Sequence, residues 1–462
     1  MKLPGRNFEN YFIFITFITS FFSVFILTGV ILGTPEIGAE FKMSNVAQNW
    51  IPTILVFVVT MFTLPAGQLC GKFGFSKSLI IGQVIILIGL TICCISISTE
   101  MFFASRILQG IGVAIVNVCE MAIIVLAIKK ENRGRALGII VTGVYLGTSL
   151  SPVICGFLVE NFGWRSMFYI TIFFNTICTI LLFLKINEEW KPNENDALDI
   201  KGMAIYIISI FFLIYGITTF MTIEGKIYVA LGIILIISYG LFELKQKTPS
   251  FQVRLFKNKA FTAYNLAGIC GYLAIMALTT IFNYYFQYVK GWDVELTGLI
   301  LLISPVVMSI TAPNAGKLSD KIHPQKIATA GMIVTIFGFL ILIFLNSDTS
   351  IYLIVLAMIL TALGMGLFSS PNMNAIMSSV DSKYAAHASA SQLTMRGIGQ
   401  TMSLSFLTLV FSWIMGSLPL SSKYAGLIIQ SSRIVCLICA IACAIAIISS
   451  VVGIKLENKT SA

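Results

Sequence analysis

Apolar residues in this chain come in long, nearly unbroken runs, not in the alternation of a strand or the single stripe of a surface helix. A run of about 20 apolar residues, coiled as a helix, matches the hydrocarbon thickness of a bilayer. The polar breaks delimit fourteen predicted spans: 11–34, 48–69, 78–98, 101–128, 136–159, 166–186, 202–222, 227–244, 260–289, 297–316, 326–346, 351–378, 388–415 and 433–455. A transmembrane barrel would show alternating segments of about ten residues instead. Only helices and closed barrels satisfy their own backbone in lipid, so the pattern predicts an all-α polytopic membrane protein. The first run, Tyr11 to Gly33, is too long for the apolar part of a signal peptide and reads as the first span.

Composition sharpens this reading. Of 462 residues, 57% are hydrophobic and 11% charged, whereas a soluble domain carries about 25% charged residues. With the N-terminus inside, 22 lysines and arginines fall in cytoplasmic segments, six fall in outer loops, and Arg106 and Arg396 stay within the membrane. This bias predicts that both termini are cytoplasmic. It also accounts for the net charge of +10. The basic residues are scattered over loops, so they imply no nucleic-acid partner. Two histidines leave little room for a metal site. The ten cysteines, including the pair Cys436 and Cys439, read as small hydrophobes packed between helices. No phosphate-binding loop or nucleophile–base pair points to an ATPase or another enzyme.

The chain also repeats itself. "GQLCGKFGFSK" (Gly67–Lys77) ends the second span and "GKLSDKIHPQK" (Gly316–Lys326) ends the tenth; both read G-x-L-x-x-K-x-x-x-x-K. Repeated halves around a site near the bilayer midplane are a transporter signature. The predicted organisation is an N-terminal six-helix bundle over 1–186, a linker with an inserted hairpin (spans seven and eight) over 187–259, and a C-terminal six-helix bundle over 260–462.

Further stretches extend the pattern: "RILQG" (Arg106–Gly110), "GTSLSPVICG" (Gly147–Gly156), "GWRSMFYI" (Gly163–Ile170), "PSFQVRLFKNKAF" (Pro249–Phe261), "SPNMNAIMSSV" (Ser370–Val380) and "MRGIGQTMS" (Met395–Ser403). Together they resemble the major facilitator superfamily, specifically its fourteen-helix drug:proton antiporters. The loop residues Gly67, Lys72 and Gly74, and again Gly316, Asp320 and Lys321, look like that family's G-x-L-x-D-r-x-G-r-k motif. Arg106, Gln109 and Gly110 look like its fourth-helix R-x-x-Q-G. Gly147, Pro152 and Gly156 look like its fifth-helix antiporter motif. The departures are specific. Gly71 occupies the aspartate position of the first loop, Ser151 and Cys155 replace two fifth-helix glycines, and Ile26 stands where many members carry a first-helix aspartate.

The resemblance implies a secondary transporter of the cell membrane that exports small amphipathic organic compounds in exchange for protons by alternating access. Its partners would be that substrate, protons and membrane lipid, in a monomer without a cofactor. Uptake of a small metabolite, or a non-transporting membrane sensor, are the alternatives. By analogy with the family, the substrate cavity would draw on Ser23, Thr28, Asn117, Asn283, Tyr284, Asn372 and Asn374. Amides and aromatics of this kind suit an amphipathic ligand.

Two charges in the fourth span stand out from the residues alone. Arg106 lies one to two turns inside it, and Glu120 follows 14 residues later. That spacing leaves them about 40° apart around the helix and roughly 21 Å apart along it, so both are expected on one side. A lone carboxylate among Val118, Cys119, Met121 and Ala122 suits a group that binds and releases a proton during a cycle. Glu120 and Arg106 are therefore the candidate coupling residues. Arg396, with Gln400 one turn on, lies at a comparable depth in the other half and is expected to pair with Glu120 across the bundles in one state only.

Overall fold

The structure, a computed structural model, describes residues 6–43, 45–186, 188–191, 197–220, 222–246, 251–292, 294–381, 384–415 and 422–460. Parts of the two predicted linkers, residue 187 with 192–196 and residues 247–250, lie outside the described residues. The first helices are α1 (Arg6–Glu40), α2 (Asn45–Phe73), α3 (Phe75–Cys94), α4 (Thr99–Ala127), α5 (Arg133–Phe162) and α6 (Arg165–Lys185). Two more follow, α7 (Ile200–Thr218) and α8 (Ile223–Glu243). The remainder are α9 (Lys259–Tyr284), α10 (Val294–Leu301), α11 (Ile303–Ser319), α12 (Pro324–Ile343), α13 (Ile351–Ser378), α14 (Ala385–Met415) and α15 (Ala425–Thr460). Among the described residues, fourteen helical segments are long and apolar enough to cross a membrane, with α10 and α11 sharing one of them. Each matches a predicted span.

Local chemistry sets the ends. Ser98 caps α4 by accepting the Met101 amide at 3.2 Å, and Asn258 caps α9 through the amides of Ala260 and Phe261. His323 accepts the Gln325 amide at 3.2 Å, and Pro324 opens α12 behind it. These side chains satisfy amide groups that the first turn leaves without partners. Inside the spans, threonine and serine hydroxyls turn back onto carbonyls of their own helix, as Thr171 does onto Met167 at 2.8 Å. All ten cysteines are free and buried, in keeping with their reading as small packing residues.

Contacts sort the chain into two compact units. One comprises Met1–Phe211, Leu235–Val253 and Val380–Thr394; the other comprises Phe212–Ile234, Arg254–Ser379 and Met395–Ala462. In the first unit α4 packs on α2 and α3, α3 on α6, and α1 on α5 and α6. In the second unit α13 packs on α11 and α12, α12 on α15, and α9 on α15. With α10 and α11 counted as one span, the two lists correspond helix for helix. The α1–α5 pairing has its counterpart too: Gly399 of α14 lies against the Ile269 carbonyl of α9, and the Ser403 hydroxyl accepts the Ala277 amide at 2.9 Å. The repeat legible in the loop motifs is thus a repeat of packing.

The α1–α5 seam shows what small residues do. Gly143, Gly147, Ser151 and Cys155 recur every four residues and meet Phe17, Phe21, Phe25 and Gly29 of α1 in the same order. A side chain at Gly143 or Gly147 would run into the backbone carbonyl of Phe17 or Phe21. The Ser151 hydroxyl instead donates to the Phe25 carbonyl at 2.6 Å. Apolar side chains gain nothing from leaving lipid, so close backbone contact and such hydrogen bonds hold the pair together.

One end of the first unit is tied by a polar cluster. Arg165, opening α6, donates to both carboxylate oxygens of Glu40 at 2.8 and 2.6 Å. It also donates to the carbonyls of Cys94, the last residue of α3, and of Ser96 just beyond it, at 2.9 and 3.0 Å. The Trp164 indole donates to Glu40 at 2.8 Å, and the Arg165 guanidinium lies 4.2 Å from the centre of that ring. The Arg165 hydrogen bond, reinforced by Trp164 against a burial cost, holds the Glu40 carboxyl below the usual glutamate range.

Two outcomes follow. Gly147→Ala should lower the stability of the detergent-solubilised protein by roughly 1–3 kcal/mol, because the methyl forces α5 off the α1 backbone. Gly240→Ala, where an added methyl meets nothing within 4 Å, should leave the thermal midpoint unchanged. For the polar cluster, a depressed folded-state value means stabilisation that is present above the unfolded-state value and lost as pH falls through the folded one. The midpoint difference between wild type and Glu40→Gln should therefore be constant above about pH 5 and shrink on acidification below the usual glutamate value of about 4.3. A difference that stays constant to pH 3 would show that Glu40 contributes no charge.

Candidate functional site

The fourth helix carries the charges. Arg106 is fully buried, and its Nη1 donates to the Gln109 side-chain oxygen one turn on, at 2.8 Å. Among the described residues, its Nε and Nη2 and the Gln109 amide nitrogen have no partner. A guanidinium carries five N–H donors, and leaving some unmet inside a membrane protein is costly. Gly89 of α3 faces Gln109 and the Ser105 carbonyl, which puts this pair at the α3 contact. Gly110 faces Val58 and the Leu55 carbonyl of α2, and Gly112 faces Gly82 and Ile86 of α3. The R-x-x-Q-G residues thus supply a buried cation, its acceptor, and a bare backbone where α2 crosses.

Glu120 is 2% exposed. Its carboxylate accepts the hydroxyl of Thr19 on α1, and the Ser20 hydroxyl is also in reach. Among the described residues no basic group pairs with it. Sequence spacing put Arg106 and Glu120 on one side of α4; the structure gives them different neighbours, α3 for the arginine and α1 for the glutamate. A 40° offset is enough to separate them, because several helices crowd around α4. The antiparallel register that joins Thr19 to Glu120 sets Ser23 level with Asn117, one turn along, and both are half-buried. Thr28 is half-buried too, with its hydroxyl turned onto the Val24 carbonyl at 2.9 Å.

In the second unit, Asn372 and Asn374 are committed to neighbouring helices. Gln325 of α12 donates to the Asn372 oxygen at 3.1 Å and to Ser450 of α15 at 2.7 Å, and Asn374 donates to Ser319 of α11 at 3.0 Å. His323 accepts an amide on Nδ1, so its Nε2–H donates to Glu457 of α15 at 3.2 Å; Tyr264 donates to the same carboxylate. The loop after Gly316, with half-buried Asp320 and exposed Lys321, is thereby fastened to α13, α15 and α9. Asn283 accepts from Gln287 at 2.7 Å, next to a π-helical turn at Tyr285–Val289. Tyr284 packs edge-on against Phe411, with ring centres 5.5 Å apart. The Arg396 guanidinium lies 5.1 Å from the centre of the Tyr272 ring, a cation–π contact, and Gln400 one turn on is half-buried.

The first loop is built differently from the second. Gly67, Gly71 and Gly74 are buried, and Gly74 has φ +108°, a conformation that favours glycine. The chain after α6 folds back over this turn. Glu189 accepts the amides of Ser76 and Lys77 at 2.9 and 3.1 Å, and Phe75 donates to the Trp190 carbonyl at 3.0 Å. A carboxylate on the first amides of α3 satisfies them and complements the helix dipole. In α5, Gly147 is buried on α1, Gly156 is half-buried, and Pro152 points outward. Sequence reasoning missed Thr19, Gln325 and Glu189. Thr19 is one of many hydroxyls in the first span, and Glu189 lies in a polar run that reads as linker.

Comparison with known proteins extends the picture. The Major Facilitator Superfamily profile matches residues 13–404. The chain is 29% identical over 387 residues to the Riboflavin transporter RibZ of Clostridioides difficile (strain 630), covering 82% of this chain and 83% of that protein. It is 27% identical over 415 residues to the Multidrug transporter protein MdtP of Bacillus subtilis (strain 168), covering 87% and 75%. Among solved structures, the human organic anion transporter MFSD10 superposes with a TM-score of 0.64 at 14% identity, covering 94% of this chain and 100% of that one. The proton:xylose symporter XylE superposes with a TM-score of 0.66 at 14% identity, covering 95% of each. At that identity the superpositions speak for the fold alone. The profile match over most of the chain, the fourteen spanning helices and the repeated packing lead to one conclusion: the chain belongs to the Major Facilitator Superfamily, as a multi-pass membrane transporter.

Proposed function

We propose that the protein exports small amphipathic organic compounds from the cytoplasm in exchange for protons, by alternating access of two six-helix bundles, with Glu120 as the proton carrier. The observation that carries this reading is the Thr19–Glu120 contact. The Thr19 oxygen also lies 3.1 Å from the Thr16 carbonyl. With Glu120 charged, the Thr19 hydroxyl donates to the carboxylate. With Glu120 protonated, its own O–H donates to Thr19, which turns its hydrogen onto Thr16. A hydroxyl is both donor and acceptor, so the site satisfies either protonation state with no heavy atom displaced. A permanently charged structural glutamate needs a fixed cation instead, and among the described residues none pairs with it.

Ser23 and Asn117, one turn along the same seam, are the candidate substrate contacts nearest this carboxylate. Arg106 takes a supporting role, as a buried charge whose open donors accept a transient partner. Glu189 supplies the first loop with the carboxylate that Gly71 lacks, and so steadies the α2–α3 turn. Likeness to the multidrug transporter supports export, and the positive-inside bias supports cytoplasmic termini in the cell membrane. A second reading is uptake of a small metabolite through the same site, its substrate class supported by the 29% identity to the riboflavin transporter.

In proteoliposomes, adding a transported amphipathic compound should move protons with wild type and should not with Glu120→Gln, while counterflow exchange of substrate persists in the variant. Unchanged proton movement in Glu120→Gln would remove the glutamate from coupling, and the direction of the proton flux separates export from uptake. Glu189→Ala should cost about 1 kcal/mol, the usual value of a lost helix cap, read as a lower unfolding midpoint. Gly71→Asp in that background should restore the midpoint if the two carboxylates serve the same turn.

A further inference from the structure

The proposed coupling makes no use of Arg396. This arginine lies nine residues inside the spanning segment His387–Met415, about 14 Å of helix from its start. A guanidinium at that depth is costly unless water or an opposite charge meets it. From α9 onward the spanning segments contain one acidic residue, Glu457, at the end of the last of them. Tyr264 and His323 hold that carboxylate. Among the described residues no carboxylate pairs with Arg396. The arginine is half-buried, so part of it stays accessible.

The packing of α14 on α9 fixes how this cation is presented. Gly399, three residues on, is bare where α14 meets the Ile269 carbonyl and the Tyr272 side chain. That close approach sets the Arg396 guanidinium 5.1 Å from the centre of the Tyr272 ring. Tyr272 is buried, and Phe368 of α13 meets its ring edge-on with centres 6.3 Å apart. A guanidinium held on an aromatic face keeps its in-plane N–H groups to give. Their planar fork matches two oxygens of a carboxylate, sulfonate or phosphate. Gln400, one turn on and half-buried, adds an amide on the same side of α14. An organic cation would be repelled here. A neutral amide offers the fork one carbonyl oxygen and no charge.

We propose that Arg396, set on Tyr272, binds the oxyanion of the transported compound, so that the substrates are amphipathic organic anions. The site rests on the reading of the protein as a carrier of organic compounds, and not on how protons are coupled. Its test is equilibrium dialysis of the purified full-length protein in detergent at neutral pH. The probes are radiolabelled aromatic carboxylates, each paired with its own carboxamide: 2-naphthoate with 2-naphthamide, and anthracene-9-carboxylate with its amide. The carboxylates should bind about 10- to 100-fold more tightly than the amides, the range for hydrogen bonds to a charged group. Arg396→Gln should bring each carboxylate down to the level of its amide and leave the amide unchanged. If that variant does not fold, Arg396→Lys decides, because it keeps the charge and loses the fork; carboxylate binding should weaken several-fold. Equal affinity within each pair, including no binding of either, would overturn the proposal. So would displacement of the carboxylates by phosphatidylglycerol, which would make Arg396 a lipid contact. Proton movement in proteoliposomes keeps the two readings apart. Proton exchange with equal affinities would remove this site and keep the coupling, and a carboxylate preference without proton exchange would do the reverse.

Discussion

A polar group within the hydrocarbon has no water to turn to, and most of this structure follows from that constraint. The backbone answers it by coiling. Hydroxyls answer it by bonding to carbonyls one turn back, as Thr16 does to Phe12 at 2.9 Å. The longer polar side chains answer it through their neighbours. Gln325 joins Asn372 and Ser450 across three helices, and Ser151 reaches the Phe25 carbonyl. The same bonds that remove unmet polar groups hold helices at fixed rotation, because lipid offers no hydrophobic force to do so.

Against this background two groups stand out, and the proposed coupling is built on them. Among the described residues, Arg106 keeps two guanidinium nitrogens without partners, and Glu120 is met by hydroxyls and by no cation. Static packing would have neutralised both. Groups left in this condition mark where a protein spends stability on chemistry. The hydroxyl beside Glu120 makes that condition tolerable in either protonation state.

The repeat explains why the two loop motifs look alike and work differently. Both join the second and third spans of their unit, and both must close a turn and satisfy a helix start. In the second unit His323 and Gln325 do this from within the loop, next to Asp320. In the first unit Gly71 leaves no acid in the loop, and Glu189 arrives from the far end of α6.

Hydropathy by itself determined that the chain is helical and crosses the membrane in fourteen segments, and the motifs pointed to the repeat and to the family. These properties are sums over adjacent residues, and adjacency survives folding. The candidate charges were legible for the same reason, since an ion in an apolar run stands out wherever the run ends up. Their partners were decided by tertiary structure alone. Thr19 lies 101 residues from Glu120 and Glu189 lies 113 from Ser76. Which face of α4 meets α1 and which meets α3 depends on where glycines let backbones touch, as Gly89, Gly110 and Gly112 do. Asn372 and Asn374 show the converse. They read as cavity amides by analogy with the family, and the helices around them take up hydrogen bonds from them, because rotation of a packed helix, not composition, chooses what a side chain meets.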